Sequence, residues 1–243
     1  MAENDTGVTL IIPTLNELKG MQEIMPKIKK EWYDELLIVD GGSTDGTIEY
    51  CHENNYPIFV QSGRGLPNAE TEALHRSTRG IIVIFTPDGN SIPELIPVLT
   101  TKLKQGFDMV IASRYLGSAK SYDDDFLTGL GNKLFTKMIR VLFRANYTDT
   151  LVGLRAYKRD AILLMRLDKQ EGENLLRKNF FYMNSWEVGS CLRAAKLKLK
   201  VAEIPGDEPL RIGGIRKLSI IKNGTGVLLQ ILYELIIGLR FNK

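Results

Sequence analysis

The sequence predicts an α/β fold, a mostly parallel sheet with helices on both faces. Three observations carry that expectation. Short apolar runs of strand length alternate with longer segments of helical period. The turns between them are short and rich in Gly, Pro, Asp and Asn. Polar residues stand just past three of the runs, at Asp40, Asp88 and Ser113-Arg114. In open α/β sheets ligands bind outside the carboxyl ends of strands, so these residues are the first candidates for a site.

Each element follows in order. Val8 to Ile12 reads as a buried strand stopped by Pro13. Leu18 to Lys30 is helical, with Met21, Ile24, Met25 and Ile28 on one face. Glu35 to Val39 is the second strand, closed by Asp40, and GGSTDGT leads into a helix from about Thr47 to Asn54. Ile58 to Gln61 is the third strand and Leu66 to Arg79 a helix. Ile81 to Phe85 is the fourth strand, ending in TPDGN, and a helix follows from about Ile92 to Lys104. Met109 to Ala112 is the fifth strand. After residue 116 the alternation stops. GSAKSYDDDFLTGLG reads as a polar loop, with Asp123 to Asp125 as a solvated run. Lys133 to Arg144 is a helix with Lys133, Lys137, Arg140 and Arg144 on one face and apolar residues over much of the rest. Such a basic amphipathic helix suits a membrane interface, or a packed helix with a solvated basic face.

Composition narrows the function. The chain has 243 residues, 44% hydrophobic and 25% charged, which is ordinary for a folded α/β domain. The net charge of +3 is unevenly placed, because residues 211–243 hold Arg211, Arg216, Lys217, Lys222, Arg240 and Lys243 against Glu234 alone. A basic end points to an anionic partner, phosphate or a membrane surface, and no nucleic-acid partner is expected. Cys51 and Cys191 have no metal-like spacing and fit a reduced compartment. His52 and His75 are the only histidines, which argues against a His-based triad or a His-rich metal site. The N-terminus lacks a basic segment before its apolar run, so no signal peptide is expected. Val227 to Leu239 is too short to span a bilayer and contains Glu234.

Two strand-to-turn segments are rich enough in functional side chains to hold a ligand. In VDGGSTDGT, Asp40 ends a strand, Gly41 and Gly42 permit a tight turn, Ser43 and Asp45 offer oxygens, and Thr47 can cap the helix. In IIPTLNE, Pro13 precedes Asn16 and Glu17 at a helix start, where an Asn cap with an acidic first turn is the plain alternative. No G-x-G-x-x-G follows the first strand and no G-x-x-x-x-G-K-[ST] occurs, so dinucleotide-binding and P-loop chemistry are not expected.

In order and spacing, IIPTLNE, VDGGSTDGT, SGRGLPNA, TPDGN, ASRY, DTLVGLRAYKRD, SWEVGSCLRAAKLKLKVAEIP and EPLRIGGIRKLSI resemble family 2 glycosyltransferases of the GT-A fold, nearest the dolichol-phosphate mannosyltransferase-like branch. The resemblance spans about residues 8 to 222. It implies a GT-A domain over residues 1–222 and a C-terminal helix over 223–243, packed or membrane-associated. It implies a nucleotide-sugar donor, with Pro13, Asn16, Glu17, Asp40, Gly42, Ser43, Asp45 and Arg64 around the nucleotide. Asp88 would sit by the diphosphate and its metal, and Arg114 would line the donor or acceptor pocket. Arg211, Arg216 and Lys217 match the family's basic phosphate-gathering stretch, although Arg216 stands where a serine is more usual.

One departure matters. The family usually shows Asp-x-Asp where this chain has Thr86, Pro87 and Asp88, with Asn90 in the later polar place. A divalent cation, Mg²⁺ or Mn²⁺, would be held by Asp88, Asn90 and the donor phosphates, weakly until donor arrives. The expected reaction is inverting transfer to a polyprenyl phosphate by a peripheral protein at the cytoplasmic membrane face. The alternatives are a sugar-hydroxyl acceptor in a glycan, with Asp149 or Glu187 as general base, and a nucleotide-sugar-binding module without turnover.

Overall fold

The structure is a computed structural model describing residues 5–169, 185–212 and 220–242. Its strands are β1 (Val8–Thr14), β2 (Glu35–Asp40), β3 (Ile58–Val60), β4 (Ile81–Ile84), β5 (Met109–Ser113), β6 (Arg155–Lys158) and β7 (Val201–Pro205). The helices are α1 (Leu18–Ile24), α2 (Thr47–Glu53), α3 (Leu66–Arg76), α4 (Leu95–Lys104), α5 (Phe126–Phe143), α6 (Arg159–Leu164), α7 (Trp186–Leu197) and α8 (Ile220–Ile237).

The strands form one sheet in the order β3-β2-β1-β4-β6-β5-β7. Neighbours are parallel except at β6, which runs against β4 and β5. The expected mostly parallel sheet is therefore present, with an antiparallel strand inserted between β4 and β5. Successive residues of β1 serve opposite faces. Leu10 and Ile12 join a core under α1 and α4, while Ile11 joins one under α3 and α7. Burial on both faces explains why the strands read as continuous apolar runs.

Several boundaries differ from the sequence reading. β1 continues through Pro13 to Thr14. The Ile11 carbonyl accepts from Phe85 N, so Pro13, two residues on, turns its nitrogen to that same side, past the end of the β1–β4 ladder. No ladder bond is lost there. α1 ends at Ile24, and Met25–Lys27 is a 3₁₀ turn, because Pro26 has no N–H to continue the helix. α5 starts at Phe126, inside the stretch read as a loop. Asp125 caps it by accepting from Thr128 N at 2.7 Å. α8 begins at Ile220, so residue 223 lies in its first turn.

One buried group gives a testable stability term. Glu70 on α3 is 2% exposed, and its Oε2 has no partner among the described residues. Burial, reinforced by the Glu187 charge and opposed by Arg155, holds its carboxyl well above the usual range. A raised carboxyl stabilises the fold at pH below the unfolded-state pKa, and that stability is lost as pH rises toward the folded-state value. Glu70→Gln is therefore expected to raise Tm at pH 8 and to flatten its fall between pH 5 and 8. Thermal unfolding across that range checks it; a variant less stable than wild type at pH 8 would mean that an ionised Glu70 supports Arg155.

Candidate active site at the carboxyl edge of the sheet

The carboxyl ends of β1 and β2 lie side by side, with Thr14 opposite Asp40. Asp40 is fully buried. Its Oδ1 accepts from the N–H groups of Gly42 and Ser43 at 2.7 and 2.6 Å, and its Oδ2 from the Ser43 hydroxyl at 2.6 Å. The turn requires glycine at Gly42, where φ is +93°. The facing turn is tied to it. Asn16 N donates to Ser43 Oγ and Asn16 Oδ1 accepts from Thr44 N, both at 2.8 Å. Asp45 accepts from Leu18 N and from the Thr47 hydroxyl. Pro13, Asn16, Glu17, Asp40, Gly42, Ser43 and Asp45 thus share one rim. Much of their hydrogen bonding is spent on shaping it.

The end of β4 carries the charged centre. Asp88 Oδ1 accepts from Asn90 N at 3.1 Å and from the Thr86 hydroxyl at 3.3 Å. Its Oδ2 pairs with Arg211 Nη1 at 2.6 Å. Asn90 Nδ2 donates to Asp123 Oδ2 at 3.0 Å, and Arg211 Nη2 stands 3.9 Å from that same oxygen. The turn is pressed from two sides. A Cβ on Gly20 would lie 2.1 Å from the Pro87 carbonyl oxygen, and one on Gly89 would lie 2.6 Å from Ile212 Cγ1. Gly89 also needs its positive φ of 89°. Ile212 N bonds the Asp88 carbonyl at 2.7 Å, so segment 206–212, which follows β7, closes over the turn.

The end of β5 is held by a buried ionic knot. Arg114 Nε lies 2.7 Å from Asp149 Oδ2, and its Nη2 donates to Asp149 Oδ1 at 3.0 Å. Its Nη1 reaches Glu208 at 3.1 Å. Burial opposes ionisation of Asp149, but the Arg114 charge and its hydrogen bonds win and hold the carboxyl below its ordinary range. Glu208 also accepts from the Ser121 hydroxyl. Behind the knot, Glu203 accepts from the N–H groups of Thr148 and Asp149. The guanidinium expected to line a pocket is thus spent on two carboxylates. Asp149, expected as a general base, is its ion-pair partner.

Other expected residues fall as follows. Arg64 is exposed on the β3–α3 loop. Glu187 opens α7; its carbonyl accepts from Arg155, whose Cα lies opposite Ile84 of β4. Arg193, farther along the same helix, pairs with Glu234 at 2.8 Å. Arg216 and Lys217 lie outside the described residues. The sequence reading missed Glu208 and treated Asp123 to Asp125 as a solvated run. In fact Asp123 meets Asn90, Asp124 meets Tyr115 and Asn132, and Asp125 caps α5.

The oxygens at β4 fit a divalent cation of low protein charge. Asp88 supplies a carboxylate, and Asn90 Oδ1 is buried without a partner among the described residues. Hard oxygen donors suit Mg²⁺ or Mn²⁺. No group of three or more His, Cys, Asp or Glu poised for a metal occurs among the described residues, so substrate oxygens would have to complete the sphere.

The comparisons with known proteins agree with this architecture. The model of Glycosyl transferase family 2 matches residues 9–163. Glycosyltransferase AglJ of Haloferax volcanii is 28% identical over 88% of this chain and 71% of its own length. A dolichol-phosphate mannosyltransferase of Pyrococcus furiosus is 31% identical over 46% of this chain and 34% of its own length. Among solved structures, glucosyl-3-phosphoglycerate synthase from Mycobacterium tuberculosis, in complex with Mn²⁺, UDP and glucosyl-3-phosphoglycerate, superposes with a TM-score of 0.66 at 18% identity. The superposition covers 95% of this chain and 78% of that one. At that identity the likeness concerns the fold, a GT-A fold.

Proposed function

The chain belongs to glycosyl transferase family 2 and is a glycosyltransferase, and from that premise we propose that it moves a sugar from a nucleotide diphosphate sugar to a polyprenyl phosphate, with inversion, at the cytoplasmic membrane face. The observation that carries the acceptor is the apolar surface that α5 and α8 leave exposed, beyond the Ile139, Val227 and Ile231 that they bury in the core. Asn132, Thr136, Gln230 and Glu234 turn inward and are buried, Glu234 to 1% exposure. Leu127, Leu130, Leu134 and Val141 of α5, and Leu232, Leu235 and Ile236 of α8, turn outward, with Phe126 at 88% and Ile236 at 77% exposure. The two helices pack against each other. Lys133, Lys137, Arg140 and Arg144 are exposed on the same α5. Exposed apolar side chains with basic residues beside them complement an anionic lipid surface. No described helix is long and apolar enough to cross a membrane.

The chemistry favours the same acceptor. A phosphate oxygen is already anionic. It attacks the anomeric carbon opposite the diphosphate, the new C–O bond forms as the old one breaks, and the nucleoside diphosphate departs. No proton has to be removed. Asp149, bound to Arg114, supplies no general base. Asp88 and Asn90 Oδ1 would hold a divalent cation, whose charge stabilises the leaving diphosphate. Arg211 adds a fixed positive charge there, and its buried Nε, without a partner among the described residues, suits a phosphate oxygen. The Asp40 turn shapes the rim that takes the nucleoside.

A sugar-hydroxyl acceptor is the second reading. It rests on Glu187, whose Oε2 is buried without a partner among the described residues and could take the hydroxyl proton. An assay of purified protein with UDP-, GDP-, CDP- and dTDP-sugars, with and without Mn²⁺, tests both. Nucleoside diphosphate release dependent on polyprenyl phosphate is expected. Release only with a glycan acceptor would favour Glu187, and tight donor binding without release would indicate a binding module. Replacing Lys133, Lys137, Arg140 and Arg144 together by Gln should weaken binding to vesicles of anionic lipid at least about tenfold, since each basic residue near such a surface contributes about 1 kcal/mol. Unchanged sedimentation with those vesicles would remove α5 from the interface.

A further inference from the structure

We propose that Asp123 supplies the carboxylate that position 86 lacks, and that Asp88, Asn90 Oδ1 and Asp123 together form the cation site. The inference rests on the reading of the β4 end as the place where a cation meets the donor diphosphate. Segment 86–90 contains a single carboxylate, Asp88. The structure brings a second one to it across 33 positions of sequence, where Asn90 Nδ2 binds Asp123 Oδ2 at 3.0 Å. One cation already faces both. The Arg211 guanidinium lies 2.6 Å from Asp88 and 3.9 Å from Asp123. Two carboxylates that share one guanidinium face a common point of positive charge. The amide between them keeps Oδ1 buried and unpartnered among the described residues, although a buried amide oxygen ordinarily finds a donor or a cation.

The loop that carries Asp123 is built to hold it there. The Lys120 N–H binds Asp207 at 2.8 Å, Tyr122 N binds the Glu208 carbonyl at 2.8 Å, and Ser121 binds the Glu208 carboxylate. Asp125 then starts α5. The loop is therefore fixed to segment 206–212, which also carries Arg211 and seals the Asp88 turn through Ile212. In this arrangement Arg211 neutralises the two carboxylates when no divalent cation is bound, and yields Asp88 Oδ2 when one enters.

Mn²⁺ binding, followed by the electron paramagnetic resonance of the free ion, tests the assignment without turnover. Inorganic pyrophosphate serves as the phosphate partner. Asp123→Asn can still accept from Asn90, so it removes charge while keeping the contact. It is expected to weaken Mn²⁺ binding at least about tenfold, and Thr86→Asp in the same chain is expected to restore it. Wild-type affinity in Asp123→Asn, or no rescue by Thr86→Asp, would overturn the role of Asp123. The underlying reading fails differently. If wild type and Asp88→Asn bind Mn²⁺ alike, with or without pyrophosphate, no cation site exists at β4 for Asp123 to complete.

Discussion

Asp88→Asn is expected to lower turnover at least about a hundredfold while leaving the chain folded. In transfer from a nucleotide diphosphate sugar, charge accumulates on the leaving diphosphate as the sugar carbon loses its bond. Removing one preorganised electrostatic contact from such a centre typically costs about 10²–10³ in rate. Asp88 is also the single carboxylate of segment 86–90, so no neighbour in that turn replaces it. The asparagine side chain keeps an oxygen for the Asn90 N–H and the Thr86 hydroxyl, which preserves the turn. What it loses is the negative charge that anchors a cation and pairs with Arg211. Arg211 is partly exposed, so freeing it is a modest cost to the fold. Steady-state rates at saturating Mn²⁺, with Tm measured beside them, separate the two effects. A variant that turns over at the wild-type rate would mean that the diphosphate is stabilised elsewhere.

The sequence made the frame of the site legible because strand periodicity and turn chemistry are local. Asp40 and Asp88 stand at strand ends, and a run of buried apolar residues before each announces it. The partners that complete the site are not local. Asp123 reaches Asn90, Glu208 reaches Arg114 and Glu203 reaches Thr148 only after the sheet has formed, because loops far apart in sequence close over one edge. The insertion of β6 is equally hidden. Its four residues RAYK have no distinctive period, yet by running antiparallel they carry Asp149 and Thr148 back to the carboxyl edge. The basic stripe on α5 was visible, but the inward turn of Asn132 and Thr136 was not. A polar residue is buried here because a partner waits for it, Tyr115 and Asp124 for Asn132 and Thr150 for Thr136. The same holds on α8, where Glu234 reads as an interruption and proves to be the buried partner of Arg193 and Lys196.

Breaking the knot at β5 is expected to produce the largest loss of stability. Asp149 is fully buried and Arg114 is 6% exposed, so neither regains full hydration when the other is replaced, although Arg114 keeps its contact with Glu208. Removing one member of a buried pair costs about 3–5 kcal/mol, chiefly because the other is left uncompensated. At about 2–4 °C per kcal/mol for a chain of this size, Asp149→Leu should lower Tm by roughly 6–20 °C. Arg114→Met should do the same, and it also strands Glu208. Replacing both together should cost less than the two single changes summed, with a coupling of about 1–3 kcal/mol. The pH dependence carries a sign. Asp149 titrates lower in the folded chain than in the unfolded one. The pair therefore stabilises the fold above the unfolded carboxylate pKa, and that contribution is lost as pH falls through the folded value. Wild type should lose stability toward acid more steeply than the double variant. Strictly additive single changes, or equal slopes in acid, would mean that Arg114 and Asp149 stand close without supporting one another. Segment 206–212 would then be held by Glu208 with Ser121, by Asp207 with Lys120 N and by Ile212 with Asp88, and not by the Arg114–Asp149 pair.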